Sequence, residues 1–148
     1  MTLTMNEIYD EILRDGGMTP SKKIKQTSAR FPEKVAMRYK EFGVWQETSY
    51  EEFWRKSNYL SMALKFFGIE KGNSVAIHSE NRPEWFIADI SIMLSEAITV
   101  PAYTTYAEKD YDYIINDCKP SVIFVSNDEQ YKKIKNLIKS KNFIKKVF

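Results

Sequence analysis

Cysteine, histidine, glycine and proline are all scarce in this sequence. Cys118 is the single cysteine and His78 the single histidine, with five glycines and five prolines among 148 residues. One cysteine cannot form an intramolecular disulfide, which excludes the small secreted scaffolds held together by disulfides and favours a reducing, cytoplasmic setting. The lack of a second histidine or cysteine also argues against a metal site.

Long apolar runs are missing as well. The most apolar stretch, residues 85–102, is interrupted by Asp89, Glu96 and Pro101, whereas a bilayer-spanning helix needs about 20 nearly uncharged residues. The first 13 residues contain acidic side chains and no basic start, unlike a secretory signal peptide. We therefore expect neither a transmembrane segment nor a cleaved leader.

Glycine motifs that hold phosphates are also absent. No GxGxxG follows the apolar run at residues 74–78, and no GxxxxGK[ST] occurs in the sequence. Both motifs work by turning backbone N–H groups toward a phosphate, so a dinucleotide-binding or P-loop domain is excluded.

Short apolar runs alternate with helical patterns over the second half of the chain. The runs lie at residues 74–78, 97–101 and 121–125, a further one begins at residue 146, and helical patterns separate them. Strands that alternate with helices of this length indicate βαβ crossovers. We therefore predict an α/β fold with a partial doubly wound parallel sheet and flanking helices.

A β-hairpin is predicted ahead of this sheet. Residues 35–39 and 44–48 alternate or are rich in aromatics, and Gly43 lies between them, which is the pattern of two strands joined by a tight turn. Helical patterns at residues 7–14 and 20–29 precede the hairpin, and a long helix that ends at Gly68 follows it.

The small net charge of +2 is unevenly distributed. Residues 128–148 carry seven lysines against two acids, and one helical face there is apolar, formed by Tyr131, Ile134, Leu137 and Ile138. Such a helix is typical either of contact with an anionic membrane or of an ordinary helix that covers a sheet. Since it lies between two predicted strands, we favour the sheet-covering helix; a weak peripheral membrane contact stays open, and nucleic acid is not an expected partner.

Few residues stand out as chemical groups. His78 lies at the carboxyl end of a predicted parallel strand, where ligands bind in such sheets, although a hydrogen-bonded strand end is the simpler interpretation. In the segment Asn81–Trp85, asparagine and proline suit a helix start with Trp85 buried below it, while Arg82 could instead face an anionic ligand. Cys118 has no partner histidine nearby in the sequence, which argues against a nucleophile.

Several strings, in a fixed order and spacing, resemble the AMP-forming acyl-CoA synthetases, specifically the long-chain fatty acyl-CoA ligases. The strings are GVW at residues 43–45, TSYEEF at 48–53, GIEKGNSVAI at 68–77, NRPEW at 81–85 and TVPAYTT at 99–105. The resemblance implies an ATP- and magnesium-dependent enzyme that converts a fatty acid to an acyl-adenylate and then to a thioester of coenzyme A. It also implies that Tyr103, Thr104 and Thr105 border the acyl or coenzyme A channel.

The same resemblance implies that this chain is only the N-terminal part of such an enzyme. The family's serine/threonine/glycine phosphate loop and its tyrosine–glycine–threonine–glutamate motif do not occur here, so no residue of the chain is assigned a catalytic role and the isolated chain is predicted to be inactive. Its incomplete AMP-binding domain is predicted to comprise a helical lead-in (1–32), a hairpin (33–48) and βα units (49–148).

Two departures from the family pattern concern one region. Glu96 replaces a usual glycine after the NRPEW helix, and residues 91–94 lack the usual run of small side chains. We expect Glu96 to be exposed and the helix to pack more loosely there.

Two further expectations concern the chain by itself. The alternative to a ligase fragment is a stand-alone α/β module that binds a small molecule or a protein without catalysis. In either case, unpaired strand edges are expected to promote self-association.

Overall fold

The structure is a computed structural model that describes residues 4, 6–7 and 19–148. The helix predicted at residues 7–14 lies outside the described residues except at its first position. Across the part of the chain that is described, no helix is both long enough and apolar enough to cross a bilayer.

The order of elements confirms the predicted α/β architecture. They are α1 (Pro20–Arg30), β1 (Val35–Glu41), β2 (Val44–Ser49), α2 (Tyr50–Phe66), β3 (Ser74–His78), α3 (Pro83–Leu94), β4 (Ile98–Ala102), α4 (Glu108–Cys118), β5 (Val122–Val125), α5 (Asp128–Ile138) and β6 (Lys146–Val147).

The predicted hairpin is formed by β1 and β2. The strands are antiparallel, and Glu41 pairs with Val44 across a two-residue turn. Both turn residues, Phe42 (φ 47°) and Gly43 (φ 83°), have positive φ angles. This is the backbone of a type I′ turn, which follows the right-handed twist of the flanking strands.

The main sheet has four parallel strands in the order β4-β3-β5-β6. β3, the first strand of this sheet along the chain, therefore lies inside the sheet, with β4 on one side and β5 on the other. Right-handed crossovers then place helices on both faces. The sheet is thus doubly wound, as the sequence predicts.

Each face of the sheet has its own apolar core. On one face, α2 and α3 contribute Leu64, Ala88 and Ile92, which pack against Val75 and Ile77 of β3. On the other, α4 and α5 cover the sheet with residues that include Tyr111, Ile115 and Ile134. The apolar face of α5 is therefore used by the sheet, as the sheet-covering interpretation expects.

Four serines belong to α2 and to the C-terminal end of α3. They are buried (Ser57, Ser61, Ser91 and Ser95). The hydroxyls of Ser61 and Ser95 lie 3.0 Å apart and share a hydrogen bond. Serine is small enough to let the two helices approach at this point, and the expectation of looser packing around residues 91–94 stays a prediction.

The start of α3 differs from the sequence prediction in two ways. Arg82, not Asn81, occupies the N-cap position, and its side chain caps no backbone N–H. Trp85 is only partly buried. It packs against the edge of the α2/α3 core, because its other side faces an open crevice that a local pattern does not reveal.

Candidate functional site

The carboxyl ends of β3 and β5 form a crevice at the point where the chain reverses direction across the sheet. β3 pairs with β4 on one side and with β5 on the other, so the segments that follow β3 and β5 leave toward opposite faces. Open α/β sheets bind ligands at such switch points. This is the position at which a functional site is expected in this fold.

A pocket of about 340 Å³ occupies this crevice. Its walls are mostly apolar and come from β3, β5, α2 and α3, with Leu60, Ile77, Trp85 and Phe124 among them. Arg82, Glu84 and Ser126 supply the polar rim. The pocket therefore fits an apolar group with a polar end, since small-molecule sites combine apolar walls with a few directed polar groups.

A second pocket of about 270 Å³ lies on the other side of Trp85. Ser79 and Trp85 belong to the walls of both pockets, and Pro101, Ala102 and Tyr103 complete the second one at the end of β4. Trp85 is therefore a partition between two pockets rather than a core residue.

The predicted site residues thus reach the same edge of the sheet but different pockets. Arg82 lines the first and Tyr103 the second. Thr104 and Thr105 continue the loop beyond Tyr103; Thr104 is partly buried and Thr105 is exposed. The structure brings Arg82 and Tyr103 to the two sides of Trp85.

Carboxylates surround the guanidinium of Arg82. Its Nε donates to Glu84 Oε2 at 2.7 Å, and Nη1 reaches the carbonyl of Ser126 at 3.4 Å. The hydrogen bond to Glu84, followed by the charges of Glu84, Glu80 and Glu41, raises the pKa of Arg82. A guanidinium near three carboxylates is not an isolated anion receptor, so the expected anionic ligand would compete with this pairing.

Glu80 ties the end of β3 to the start of α5. Asn127 caps that helix by accepting a hydrogen bond from Gln130 N–H, and its side-chain amide donates to Glu80 Oε1 at 3.1 Å. A hydrogen bond from Ser126 is the main cause that lowers the pKa of Glu80. The rim of the crevice is therefore held by side chains from both strand ends.

The Tyr103–Thr105 loop is held from below by buried polar groups. Tyr111, which is fully buried, donates its hydroxyl to the carbonyl of Tyr103 at 2.8 Å and lies 3.2 Å from Gln130 Oε1. Lys133 donates to the carbonyl of Thr104. Because its backbone is fixed in this way, the loop presents the exposed Tyr103 ring, 73% accessible, at a defined place.

His78 is buried below this site without a side-chain partner. Its backbone carbonyl accepts a hydrogen bond from Ser126 N–H at 3.2 Å, as expected of a strand end, but neither ring nitrogen bonds to a described residue. Its ring lies 4.6 Å from that of Tyr111. Burial lowers the pKa of His78 to about 4, so the ring is neutral at physiological pH.

In the part of the chain that the structure describes, the remaining groups form neither an activated nucleophile nor a cation site. Burial raises the pKa of the Cys118 thiol, which reduces its reactivity as a thiolate. Among the described residues, no three His, Cys, Asp or Glu side chains gather in an arrangement that could hold a metal ion. Glu80 and Glu84 are engaged with neighbouring side chains, so the donors present do not fit the magnesium ion that the resemblance implies.

Sequence reasoning missed several residues of the site. Leu60, Phe124 and Ser126 line the first pocket, and Glu80 fixes its rim. Only Ser126 and Glu80 could have been found from the sequence, since they lie one and two residues after a predicted parallel strand. Leu60 and Phe124 follow core patterns, and their exposure to a pocket depends on how α2 and the sheet pack.

Comparison with known proteins identifies relatives over most of the chain. The family of AMP-binding enzymes matches residues 24–147. A long-chain-fatty-acid–CoA ligase of Bos taurus, ACSBG1, is 28% identical over 138 residues, which are 93% of this chain and 19% of the bovine protein.

Solved structures share the fold. A long-chain-fatty-acid CoA ligase from Rhodopseudomonas palustris superposes with a TM-score of 0.78 at 21% identity and covers 88% of this chain and 32% of its own. A Mycobacterium tuberculosis fatty acyl CoA synthetase gives a TM-score of 0.77 at 19% identity, covering 86% of this chain and 26% of its own. The chain thus spans about a fifth to a third of the length of these relatives. With the family match across residues 24–147 and the same α/β architecture, this chain belongs to the AMP-binding enzyme family.

Proposed function

We propose that this chain is the N-terminal part of an AMP-forming long-chain fatty acyl-CoA ligase of the cytoplasm. The observation that carries the proposal is the match to the AMP-binding enzyme family over residues 24–147, together with similarity to long-chain-fatty-acid–CoA ligases over 93% of the chain. We also propose that its incomplete AMP-binding domain is divided into a helical lead-in (1–32), a hairpin (33–48) and βα units (49–148).

The proposed reaction has two steps. The carboxylate of the fatty acid attacks the α-phosphorus of ATP and pyrophosphate leaves; the thiol of coenzyme A then attacks the acyl carbon and AMP leaves. The charge that develops in the transition state of such steps is stabilised by several hydrogen-bond donors that point toward it. The rim of the crevice supplies Arg82, already paired with Glu84, so the catalytic groups have to come from elsewhere in the enzyme.

What this chain contributes to that reaction is a scaffold and one wall of a channel. The loop of Tyr103, Thr104 and Thr105 is fixed through Tyr111 and Lys133, and the Tyr103 ring is free to contact an acyl chain or coenzyme A. Arg82 lies on the other side of Trp85 from Tyr103 and lines the neighbouring pocket.

Pyrophosphate exchange tests the proposal. The 148-residue chain and the same chain extended by the polypeptide that its reading frame encodes downstream are compared with palmitate, acetate or no acid. We expect exchange that depends on palmitate only in the extended protein. Exchange by the isolated chain would contradict its inactivity, and an extended protein that carries the phosphate loop but responds to acetate alone would contradict the long-chain assignment.

A matched pair of tyrosine variants tests the channel assignment in the extended protein. Tyr103 and Tyr113 are equally accessible, at 73% and 71%, but only Tyr103 lines the second pocket. Tyr103→Ala should raise KM for the fatty acid or coenzyme A by about tenfold with little change in kcat, the pattern of lost binding in ground and transition states alike. Tyr113→Ala should leave both constants unchanged; an equal effect of the two variants would refute the assignment.

The alternative is a module that binds an apolar small molecule without catalysis. The 340 Å³ pocket favours it, because its mostly apolar walls suit an apolar ligand. An in-frame stop codon directly after Phe148, with stable expression of the isolated chain, would favour the module over the ligase.

A further inference from the structure

One part of the chain is strongly basic and has its own exposed apolar side chains. Residues 20–45, which we name the basic lobe, comprise α1 and most of the hairpin. They carry seven Lys or Arg residues against Glu33 and Glu41, a local charge of +5 in a protein whose total is +2. Lys23 and Lys25 of α1 are exposed.

The hairpin tip concentrates exposed apolar surface in the basic lobe. Phe42 is 99% accessible, Trp45 66% and Val44 60%. Isolated apolar residues are common on protein surfaces, but three within four positions at one turn form an apolar patch that is open to solvent.

The backbone at Phe42 makes this exposure harder to explain as chance. Phe42 has a φ angle of 47°, in the left-handed region, where a bulky side chain is a genuine outlier and where a type I′ turn prefers asparagine or glycine. The ring contacts solvent and gains nothing from packing to offset the strain. A strained backbone conformation that no packing contact compensates is typical of functional positions.

Cations accompany the exposed rings of the basic lobe. Lys40 Nζ lies 5.9 Å from the centre of the Trp45 ring, and Arg30 and Lys34 approach the Phe31 ring at 5.0 Å and 4.5 Å. At a membrane surface, aromatic rings lie at the level of the headgroups while lysine and arginine reach the phosphates.

The second basic region of the chain lacks this combination. Among the seven lysines of residues 128–148, Lys133, Lys141 and Lys145 donate hydrogen bonds into the fold. Ile134 of α5 is fully buried against the sheet. Leu137 and Ile138 of the same helix pack against this core as well, so most of the apolar face of the amphipathic helix is used by the sheet and not open to a membrane.

We propose that the basic lobe binds an anionic lipid surface, with Phe42, Val44 and Trp45 inserted at the headgroup level. Three side chains at a turn are too few to form a stable protein interface by themselves, since such an interface buries about 800 Å² on each partner. Val44 has no ring to stack on a nucleobase, so the tip fits hydrocarbon better than single-stranded nucleic acid. The proposal does not depend on the ligase reaction, because binding needs neither ATP nor coenzyme A.

Vesicle co-sedimentation with the full 148-residue chain tests the proposal. Vesicles of phosphatidylcholine are compared with vesicles that also contain phosphatidylserine, at low and high salt. We expect binding only to the anionic vesicles and its loss at high salt. The double variant Lys23→Gln/Lys25→Gln should weaken binding by about 30-fold, since each lysine near an anionic surface contributes roughly 1 kcal/mol.

The insertion of the tip is tested with matched aromatic variants. Phe42→Asn/Trp45→Gln should weaken vesicle binding by about tenfold or more. The control is Tyr59→Gln/Phe66→Asn on α2, where the exposed fractions are 61% and 87%, and it should bind as the unmodified chain does. Brominated lipids should quench tryptophan fluorescence in the unmodified chain and not in Trp45→Phe.

Three results would overturn the proposal. They are equal loss of binding in the tip and control variants, binding unaffected by the tip variants, and tighter binding to an oligonucleotide than to anionic vesicles at the same salt. Circular dichroism of each variant separates loss of binding from loss of fold, and Trp45→Phe, which keeps a ring of similar shape, remains informative if the double variant unfolds.

Discussion

His78 makes the stability of this fold depend on pH above the range where carboxylates titrate. Burial lowers its pKa to about 4 in the folded chain, whereas the unfolded chain binds the proton near pH 6.5. The unfolded state therefore gains protons first, and the free energy of unfolding falls as the pH drops from 6.5 toward 4. The full loss is about 3 kcal/mol, because a pKa difference of one between the folded and unfolded chains corresponds to roughly 1.4 kcal/mol.

The variant His78→Phe isolates this effect. It keeps a ring beside Tyr111 and removes both the unpartnered nitrogens and the titration. In urea titrations between pH 7 and 4.5, the unmodified chain should lose about 2–3 kcal/mol relative to the variant. The carboxylates whose pKa values are lowered, Glu80 and Glu84, contribute equally to both proteins. Parallel pH profiles would show that His78 does not titrate as proposed.

Glu96 adopts a backbone conformation that suits glycine. Its φ angle is 59°, and it ends α3 in a Schellman motif, in which Ala97 N–H bonds to the carbonyl of Ile92 and Glu96 N–H to that of Met93. The side chain is exposed, as expected, and pairs with Lys71 at 3.2 Å. An exposed pair contributes little, whereas a left-handed conformation costs a residue with a side chain about 1–2 kcal/mol.

Glu96→Gly should therefore stabilise the chain by about 0.5–1 kcal/mol, after allowance for the greater entropy of glycine in the unfolded state. Glu96→Ala is the control, because it removes the Lys71 pair and keeps the strain. Thermal unfolding should rank glycine above glutamate, and glutamate equal to or slightly above alanine. The opposite order would show that the ion pair outweighs the backbone strain.

At the scale of elements, two helices that look similar in sequence begin differently. The Ser49 hydroxyl accepts a hydrogen bond from Glu52 N–H at 3.1 Å and caps α2, whereas α3 has no side-chain cap. Ser49→Ala should cost about 1 kcal/mol, the usual value for a lost N-cap. Asn81→Ala should cost less than about 0.5 kcal/mol, as for an exposed surface change. Urea unfolding measures both, and an equal cost would show that Asn81 also caps its helix.

The elements were predictable where one local pattern decides them. Short apolar runs between helical patterns place β3 and β5 correctly, and Gly43 marks the hairpin turn. The prediction of a buried Trp85 was wrong because its exposure depends on a crevice formed by β5 and α2, which are distant in sequence. The same holds for Arg82: its position after a strand end and its pairing with Glu84 are local, but the charge of Glu41 beside it depends on the hairpin lying next to the start of α3.

At the scale of the molecule, open sheet edges should make this chain self-associate. β4 and β6 are the outer strands of the main sheet, and Ile98 on β4 and Phe148 after β6 are 54% and 43% accessible. Unpaired edges with apolar side chains promote pairing between chains. We expect a dimer or a larger species whose contact includes the tail at residues 142–148 or the hairpin.

Light scattering over a concentration series tests this expectation. Val147→Lys/Phe148→Lys should reduce association, and Ile98→Lys separates an effect at the β4 edge from one at the tail. Because Phe148 stacks on Phe124 at 5.5 Å, circular dichroism has to confirm that the tail variant remains folded. A chain that is monomeric at high concentration and unfolds in one cooperative step would contradict the expectation and favour the self-contained module.

The inside position of β3 also has a consequence for synthesis on the ribosome. β3 is the first strand of its sheet to emerge and ends at His78, yet one of its two neighbours, β5, ends only at Val125, 47 residues later. At about 5–20 residues per second, translation leaves one side of β3 unpaired for roughly 2–10 s. Val75 and Ile77 then lack their neighbours Val122 and Phe124 on β5. The hairpin, whose contacts are local, can form within microseconds of its emergence, so the nascent chain carries a finished hairpin and an unfinished sheet at the same time.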